Sequence, residues 1–273
     1  MTPDPRNPQK QPMADPSMVR TLDFQARAIW PQEREIIARY GLTGHLDLLD
    51  VGCGTGELLD RIANMFPDAL VTGVDVEPAH LAVARQRLLS FEDRVKVLEG
   101  DAFNLDFADH SFDLTLCRHL LQAVPEAGRV IDEMIRVTRP GGRLHILAED
   151  YGMMHFHPTA YDTDRFWQLG AFAVGDATGT DLRIGRKAFA MLRARRLLDI
   201  TVDHVVVDTT RVPRAVFSGI WRTWRDGYTD FIADHSSLTR DEVLEHFEDM
   251  IRCIDNPDGY AVWHVPVLSA IVP

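Results

Sequence analysis

The stretch Leu48-Leu49-Asp50-Val51-Gly52-Cys53-Gly54-Thr55-Gly56-Glu57-Leu58-Leu59 constrains this chain more than any other. An apolar run ends in an acid, passes through alternating glycines and reopens with helical apolar spacing. Glycine lacks a Cβ and adopts φ > 0 at little cost, so such a turn brings bare backbone close to a ligand. The helix that follows directs its unpaired N–H groups at the same place. A strand, a glycine turn and a helix in this order predict an α/β fold with a nucleotide-like ligand at the carboxyl edge of its sheet.

Glycine spacing narrows the ligand. A dinucleotide fingerprint, G-x-G-x-x-G, needs its third glycine where Glu57 stands. Here the third glycine is Gly56, and the pattern reads D-x-G-x-G-x-G. Val71-Thr72-Gly73-Val74-Asp75-Val76 is a second apolar strand ending in an acid, 19 residues beyond Gly56. A carboxylate at that strand end can accept both hydroxyls of a ribose. Val95–Ala102 reads as a third strand closing on Gly100-Asp101-Ala102, and Phe112–Cys117 as a fourth, introduced by Ser111-Phe112-Asp113 and followed by Arg118-His119-Leu120. Val137-Thr138-Arg139-Pro140-Gly141-Gly142-Arg143-Leu144 then turns into a fifth strand, Arg143–Glu149.

These five segments, in this order over residues 48–149, resemble the class I S-adenosylmethionine (SAM)-dependent methyltransferases. The resemblance implies a Rossmann-like, seven-stranded, mostly parallel sheet with an antiparallel last strand. It implies SAM as cofactor and S-adenosylhomocysteine as product. By the same resemblance Asp50, Gly52, Cys53, Gly54 and Gly56 form the loop beneath the methionine part. Asp75 takes the ribose hydroxyls, Val76 packs on the adenine, and Asp101 and the Ala102 N–H bind the adenine edge. Arg118 and His119 fall where the family sets polar residues beside the methionine moiety. The likeness is to the broad group of quinone-biosynthesis and natural-product enzymes, and it fades outside residues 45–150.

Composition sets the boundaries of the reading. A net charge of −12 argues against nucleic acid, because phosphate binding needs a basic surface. Arg193-Ala194-Arg195-Arg196 is a local exception that reads as the solvated end of a helix. The three cysteines, Cys53, Cys117 and Cys253, have neither CxxC spacing nor an even-numbered framework, which suits a reduced, cytoplasmic protein. No apolar run is long enough for a membrane span, and the first residues lack the apolar core of a signal peptide. Residues 1–16 hold five prolines and are expected to be a disordered leader before a single domain, 17–273.

The remaining segments carry the expectations about the acceptor. Residues 17–40 predict a helix interrupted at Pro31. Tyr151–Asp199 and residues 209–258 exceed the minimal plan and predict helical caps over the SAM-binding core, 41–150. The stripe Phe217, Ile220, Trp221, Trp224 and Tyr228 on a helix over Arg214–Asp234 reads as a core face, a pocket wall or a homodimer contact. Trp30, Phe156 and Trp167 are candidates to line a planar site. Glu149, Asp150 and His155, just after strand five, are the candidate catalytic residues, to orient or deprotonate a small-molecule acceptor. His155-x-His157 has ligand-like spacing, but no second cluster accompanies it, so no metal is expected. A SAM-binding sensor or partner subunit without turnover is the alternative from another class.

Overall fold

The computed structural model describes residues 6–273. Its sheet runs β3 (Val95–Glu99), β2 (Leu70–Asp75), β1 (Asp47–Val51), β4 (Phe112–Arg118), β5 (Thr138–Leu147), β8 (Tyr260–Ile271). The first five are mutually parallel, and β8 runs antiparallel to its neighbours β5, β7 (Leu198–Asp208) and β6 (Met154–His157). The order reverses at β1, which lies between β2 and β4, so the crevice outside the carboxyl ends of these strands is the expected ligand site. At the opposite edge Arg139 bridges Asp113 at 2.6 Å and Asp47 at 2.7 Å, tying the starts of β4, β5 and β1 together.

Alternation along each strand divides the core between two faces. Leu48, Leu114 and Leu116 pack against α3 (Glu57–Met65) and α4 (Pro78–Arg87). Leu49, Val51, Leu144 and Ile146 pack on the other side against α5 (Ala127–Val137) and α8 (Gly185–Ala194). A further apolar cluster joins β6–β8 to α2 (Pro16–Ala38), α6 (Thr163–Leu169), α7 (Ala171–Thr178), α9 (Arg214–Asp234) and α10 (Arg240–Asp255). Trp221, Trp263, Phe217, Phe166 and Phe247 are wholly buried within it.

Four expectations change. The sheet has an eighth strand: β6 extends the line of β5 along β8, because Met154 and Phe156 alternate into the core. Residues 151–199 are therefore not one cap. Only α6 and α7 belong to it, while α8 is the crossover helix that covers the sheet before β7. Pro31 does not interrupt α2, which is continuous over Pro16–Ala38 and packs along α9. Tertiary packing compensates the one hydrogen bond lost at the proline. The leader is also corrected over its described part. Residues 10–13 form a short helix, α1 (Lys10–Met13), against α9, with Gln9 and Pro12 buried there, and Asp15 caps α2 through the Ser17 N–H. Residues 1–5 lie outside the described residues.

Candidate cofactor and acceptor site

The glycine loop needs its glycines. Gly52 and Gly54 have φ of 78° and 51°, and a Cβ on Gly54 would lie 2.9 Å from Leu22 of α2. The Gly52 and Cys53 N–H groups donate to the Val74 carbonyl at 2.8 and 3.0 Å, locking the loop onto β2. Gly54 N–H donates to Asp75 Oδ2 at 2.8 Å, and Glu77 N–H donates to Asp75 Oδ1 at 2.9 Å. Each Asp75 oxygen keeps lone-pair capacity for a ribose hydroxyl. Glu57, at the position that excluded a dinucleotide fingerprint, is buried and paired with Arg61 and Arg87, and Arg87 Nε also donates to the Thr55 carbonyl.

Asp75, Val76, Asp101, Ala102, Arg118 and His119 border one cavity of 260 Å³ at the carboxyl edge of the sheet. Val76 is 47% exposed, an apolar surface fit for a flat ring. Asp101 accepts from the Phe103 N–H at 2.8 Å and pairs at 2.9 Å with Arg6 of the N-terminal segment. A contiguous cavity of 40 Å³ shares Gly52, Gly54, Arg118 and His119 and adds Asp50 and Cys53. All three cysteines are buried free thiols, and burial pushes Cys53 well above the ordinary range.

Two opposite charges lie buried and incompletely paired here. Asp50 Oδ1 and Arg118 Nη2 have no hydrogen-bond partner, and Arg118 Nε faces Glu33 Oε1 at 3.2 Å in a poorly aligned ion pair. Burial, opposed by Arg118, pushes the Asp50 carboxyl up to about 7. Unpaired buried charges are costly unless a ligand completes them. An amino acid zwitterion would do so, with its ammonium at Asp50 and its carboxylate at Arg118. With the ribose carboxylate, the adenine edge and the glycine cradle, the residues fit SAM.

Glu33 is the residue that sequence reading missed. It sits on α2 wholly buried, beside Arg118 and within 3.0 Å of His145 Nε2, and Tyr40 O–H closes the chain on His145 Nδ1 at 2.8 Å. Burial raises its pKa, but Arg118 and the hydrogen bond from His145 outweigh it, and the net shift is downward. Burial pushes the Tyr40 phenol up to about 12. A lone acid at a core-facing position of an amphipathic helix was the available signal.

His119 and Glu149 form the other missed pairing. His119 Nδ1 lies 2.5 Å from Glu149 Oε1, which also accepts from Gln25 Nε2 of α2 at 3.4 Å. His119 Nε2 is buried with no partner, and the residue has φ of 54°, a conformation sparsely populated by non-glycine residues and enriched at functional sites. Of the three candidate catalytic residues, only Glu149 lies here. Asp150 is buried, but both its oxygens are committed to Arg186 at 2.5 and 2.8 Å and to the Gly152 N–H, so it pins the turn after β5 to α8. His155 is 62% exposed on the outward face of β6, 3.9 Å from Asp164. The strand alternation that buries Met154 and Phe156 turns it away. Among the described residues no group of three or more histidine, cysteine or acidic side chains could hold a metal, and no helix is long and apolar enough to cross a membrane.

Comparison with known proteins agrees with this geometry. Residues 48–142 match the methyltransferase domain family. Methyltransferase GfsG of Streptomyces halstedii is 37% identical over 134 residues, 48% of this chain and 47% of that protein. The demethylmenaquinone methyltransferase of Symbiobacterium thermophilum is 35% identical over 113 residues, 40% of this chain and 45% of that one. The chain thus spans about half the length of the curated relatives it matches. The fold is shared with geranyl diphosphate C-methyltransferase from Streptomyces coelicolor A3(2), solved with Mg2+, geranyl diphosphate and S-adenosyl-L-homocysteine, at a TM-score of 0.55 and 15% identity over 89% of this chain and 79% of that one. The matched methyltransferase-domain segment thus sits within a Rossmann-like fold shared with that enzyme. Within this chain that domain's sequence signature occupies residues 48–142.

Proposed function

We propose that the protein transfers the methyl group of SAM to a nucleophilic atom of a small molecule, with His119 as the base. The observation that carries this reading is the His119–Glu149 pair: a carboxylate on Nδ1 makes Nδ1 the donor, so that Nε2 carries the lone pair at the edge of the cofactor cavity. When bound, the cofactor supplies an electrophilic methyl on a sulfonium and leaves as a neutral thioether. His119 Nε2 takes the acceptor's proton, and Glu149 stabilises the imidazolium that results. Arg118 and Asp50 hold the amino acid end, and Asp75 fixes the ribose, so positioning supplies much of the remaining rate. A small acceptor is supported by the net charge of −12 and by the helical cover over the sheet edge.

Incubating the protein with SAM and fractionated metabolite pools, and following S-adenosylhomocysteine by mass spectrometry, tests the reading. Acceptor-dependent product is expected, with loss of it in His119→Ala. Tight SAM binding with no product from any pool would make the protein a sensor instead.

A further inference from the structure

The N-terminal segment, residues 6–13, meets two different cavities. Arg6, Asn7, Lys10 and Met13 line the 260 Å³ cofactor cavity together with Asp75, Asp101 and His119. Gln9, within the same segment, lines a separate cavity in the cap with Tyr151, Trp224 and Tyr228. One side of the segment is thus a wall of the cofactor site, while the other is seated in the cap.

Its attachments are few. Gln9 and Pro12 are buried, and Tyr228 O–H donates to Gln9 Oε1 at 3.1 Å and lies 3.7 Å from Met13 Sδ. At the outer end Arg6 pairs with Asp101 Oδ2 at 2.9 Å, the two side chains being 59% and 36% exposed. An ion pair so exposed contributes little and weakens with salt. Helix α1 is a single turn and is not stable alone. Ala14 and Asp15 separate it from α2, whose first turn is fixed by the Asp15 cap and by close packing, since a Cβ on Gly227 would lie 2.5 Å from Ser17 Oγ. A weakly held segment therefore joins a fixed helix through a break of two residues.

The Asp101 contact bears on the cofactor directly. Asp101 Oδ1 accepts from the Phe103 N–H at 2.8 Å, and the Arg6 guanidinium stands on Oδ2. By the reading above, an adenine amino group donates to this same carboxylate. The guanidinium and the adenine edge compete for one oxygen, and the cation also offsets the negative charge that attracts the amino group.

We propose that residues 6–13 are a strap over the cofactor cavity, which must lift about Ala14–Asp15 before the cofactor seats, and that Arg6–Asp101 and Gln9–Tyr228 are its two latches. The proposal rests on the cofactor reading above. Binding then carries an opening cost: the apparent Kd is the intrinsic Kd divided by the fraction of chains whose strap is lifted. Loosening either latch raises that fraction, even though Tyr228 lines neither cavity at the glycine loop.

The test is stopped-flow mixing of the full chain with S-adenosylhomocysteine, read by tryptophan fluorescence at low and at high salt. Arg6→Ala and Tyr228→Phe should each raise the association rate constant about twofold to fivefold, the worth of one exposed ion pair or one hydrogen bond, with dissociation nearly unchanged. S-adenosylhomocysteine has no net charge, so salt should speed its association with the unaltered chain by loosening Arg6, and should not do so in Arg6→Ala. Hydrogen exchange at the Lys10, Met13 and Ala14 N–H groups, which close the turn of α1, should quicken in both variants. Unchanged exchange in α10 shows that each variant folds. An association rate unchanged in either variant, or faster dissociation without faster association, overturns the proposal and leaves the segment a fixed wall. If the unaltered chain fails to bind S-adenosylhomocysteine at all, the cofactor reading itself falls, and the two failures are told apart.

Discussion

The cavities at the glycine loop are lined mainly by residues 50–124, with the N-terminal segment and α2 supplying the rest, whereas the cap cavity gathers Gln9, Tyr151, Trp167 and Trp224 from four separate segments. Parallel strands explain the first. Val51, Val74 and Cys117 stand in register, so the residues just past each strand converge on one crevice whatever the helices between them do. The second depends on how α2, α6, α7 and α9 pack on the edge of the sheet, which leaves no regular spacing behind. Helix α2 joins the two regions: Leu22 covers the glycine loop, Gln25 reaches Glu149, and Glu33 reaches Arg118. Its Gln32 also pairs with both the carbonyl and the N–H of Val206, sealing the edge strand β7.

The sharpest way to test the division is at its border. His119→Ala should lower kcat by about 10²–10⁴-fold, the usual contribution of a general base, while SAM affinity measured by calorimetry moves little by comparison. A variant that loses SAM binding but keeps single-turnover rates would put His119 wholly among the cofactor-binding residues.

Glu33→Gln tests the opposite assignment. Removing one partner of a buried ion pair costs about 3–5 kcal/mol of stability, read by denaturant unfolding. Because Arg118 then loses its counter-ion and its orientation, KM for SAM should rise more than kcat falls. A fall in kcat at unchanged KM would assign Glu33 to the chemistry instead. The stabilising contribution of Glu33 should also depend on pH. Its folded-state pKa is lowered, so the contribution is present above the ordinary carboxylate range and disappears as pH falls through the depressed value.

Asp50, at the glycine loop, behaves in the reverse sense. Burial raises its folded-state pKa to about 7 from an ordinary 3.8. Between those values the folded chain keeps a proton that the unfolded chain has released. Folding takes up a proton there, so stability without cofactor should fall as pH rises across that window. Asp50→Asn should flatten this dependence and raise stability at pH 8 by about 1–3 kcal/mol, a typical cost for a buried polar group left unpaired. It should also weaken SAM, whose ammonium it no longer meets. An unchanged pH profile would show that Asp50 is solvated.

The smallest effect is a control on the cap. Thr239 heads α10 with a capping box, its hydroxyl accepting from the Glu242 N–H while Glu242 returns the bond. Thr239→Ala should cost about 0.5–2 kcal/mol in thermal unfolding and leave SAM affinity untouched. A change in SAM affinity would mean that the two regions are more tightly coupled than α2 alone provides.

Much of this molecule was legible beforehand for specific reasons. The D-x-G-x-G-x-G loop, Asp75 and Asp101 each follow a strand, and a parallel strand's carboxyl end has one address. Helices such as Arg214–Asp234 were legible from their apolar period. The stripe on α9 proved to be mostly core at Phe217, Ile220 and Trp221, with Trp224 and Tyr228 forming a cavity wall. Trp167 lines that wall, whereas Phe156 packs on Trp221 and Trp30 against the α3 side.

The sequence by itself determined the order of strands, the glycine turn and the charge-bearing strand ends, because those are local: a φ above zero, a period of two or 3.6, an acid at a fixed offset. Only the tertiary structure decided which of Glu149, Asp150 and His155 lies beside His119. Neighbours along a chain differ by half a turn of strand or a single ion pair, and burial beside His119, beside Arg186 or in open solvent is set by packing partners tens of residues away. The glycine loop marked the proposed cofactor site in advance, whereas the long-range contact of Gln25 on α2 with Glu149 and the cap cavity against α9 came only with the packing.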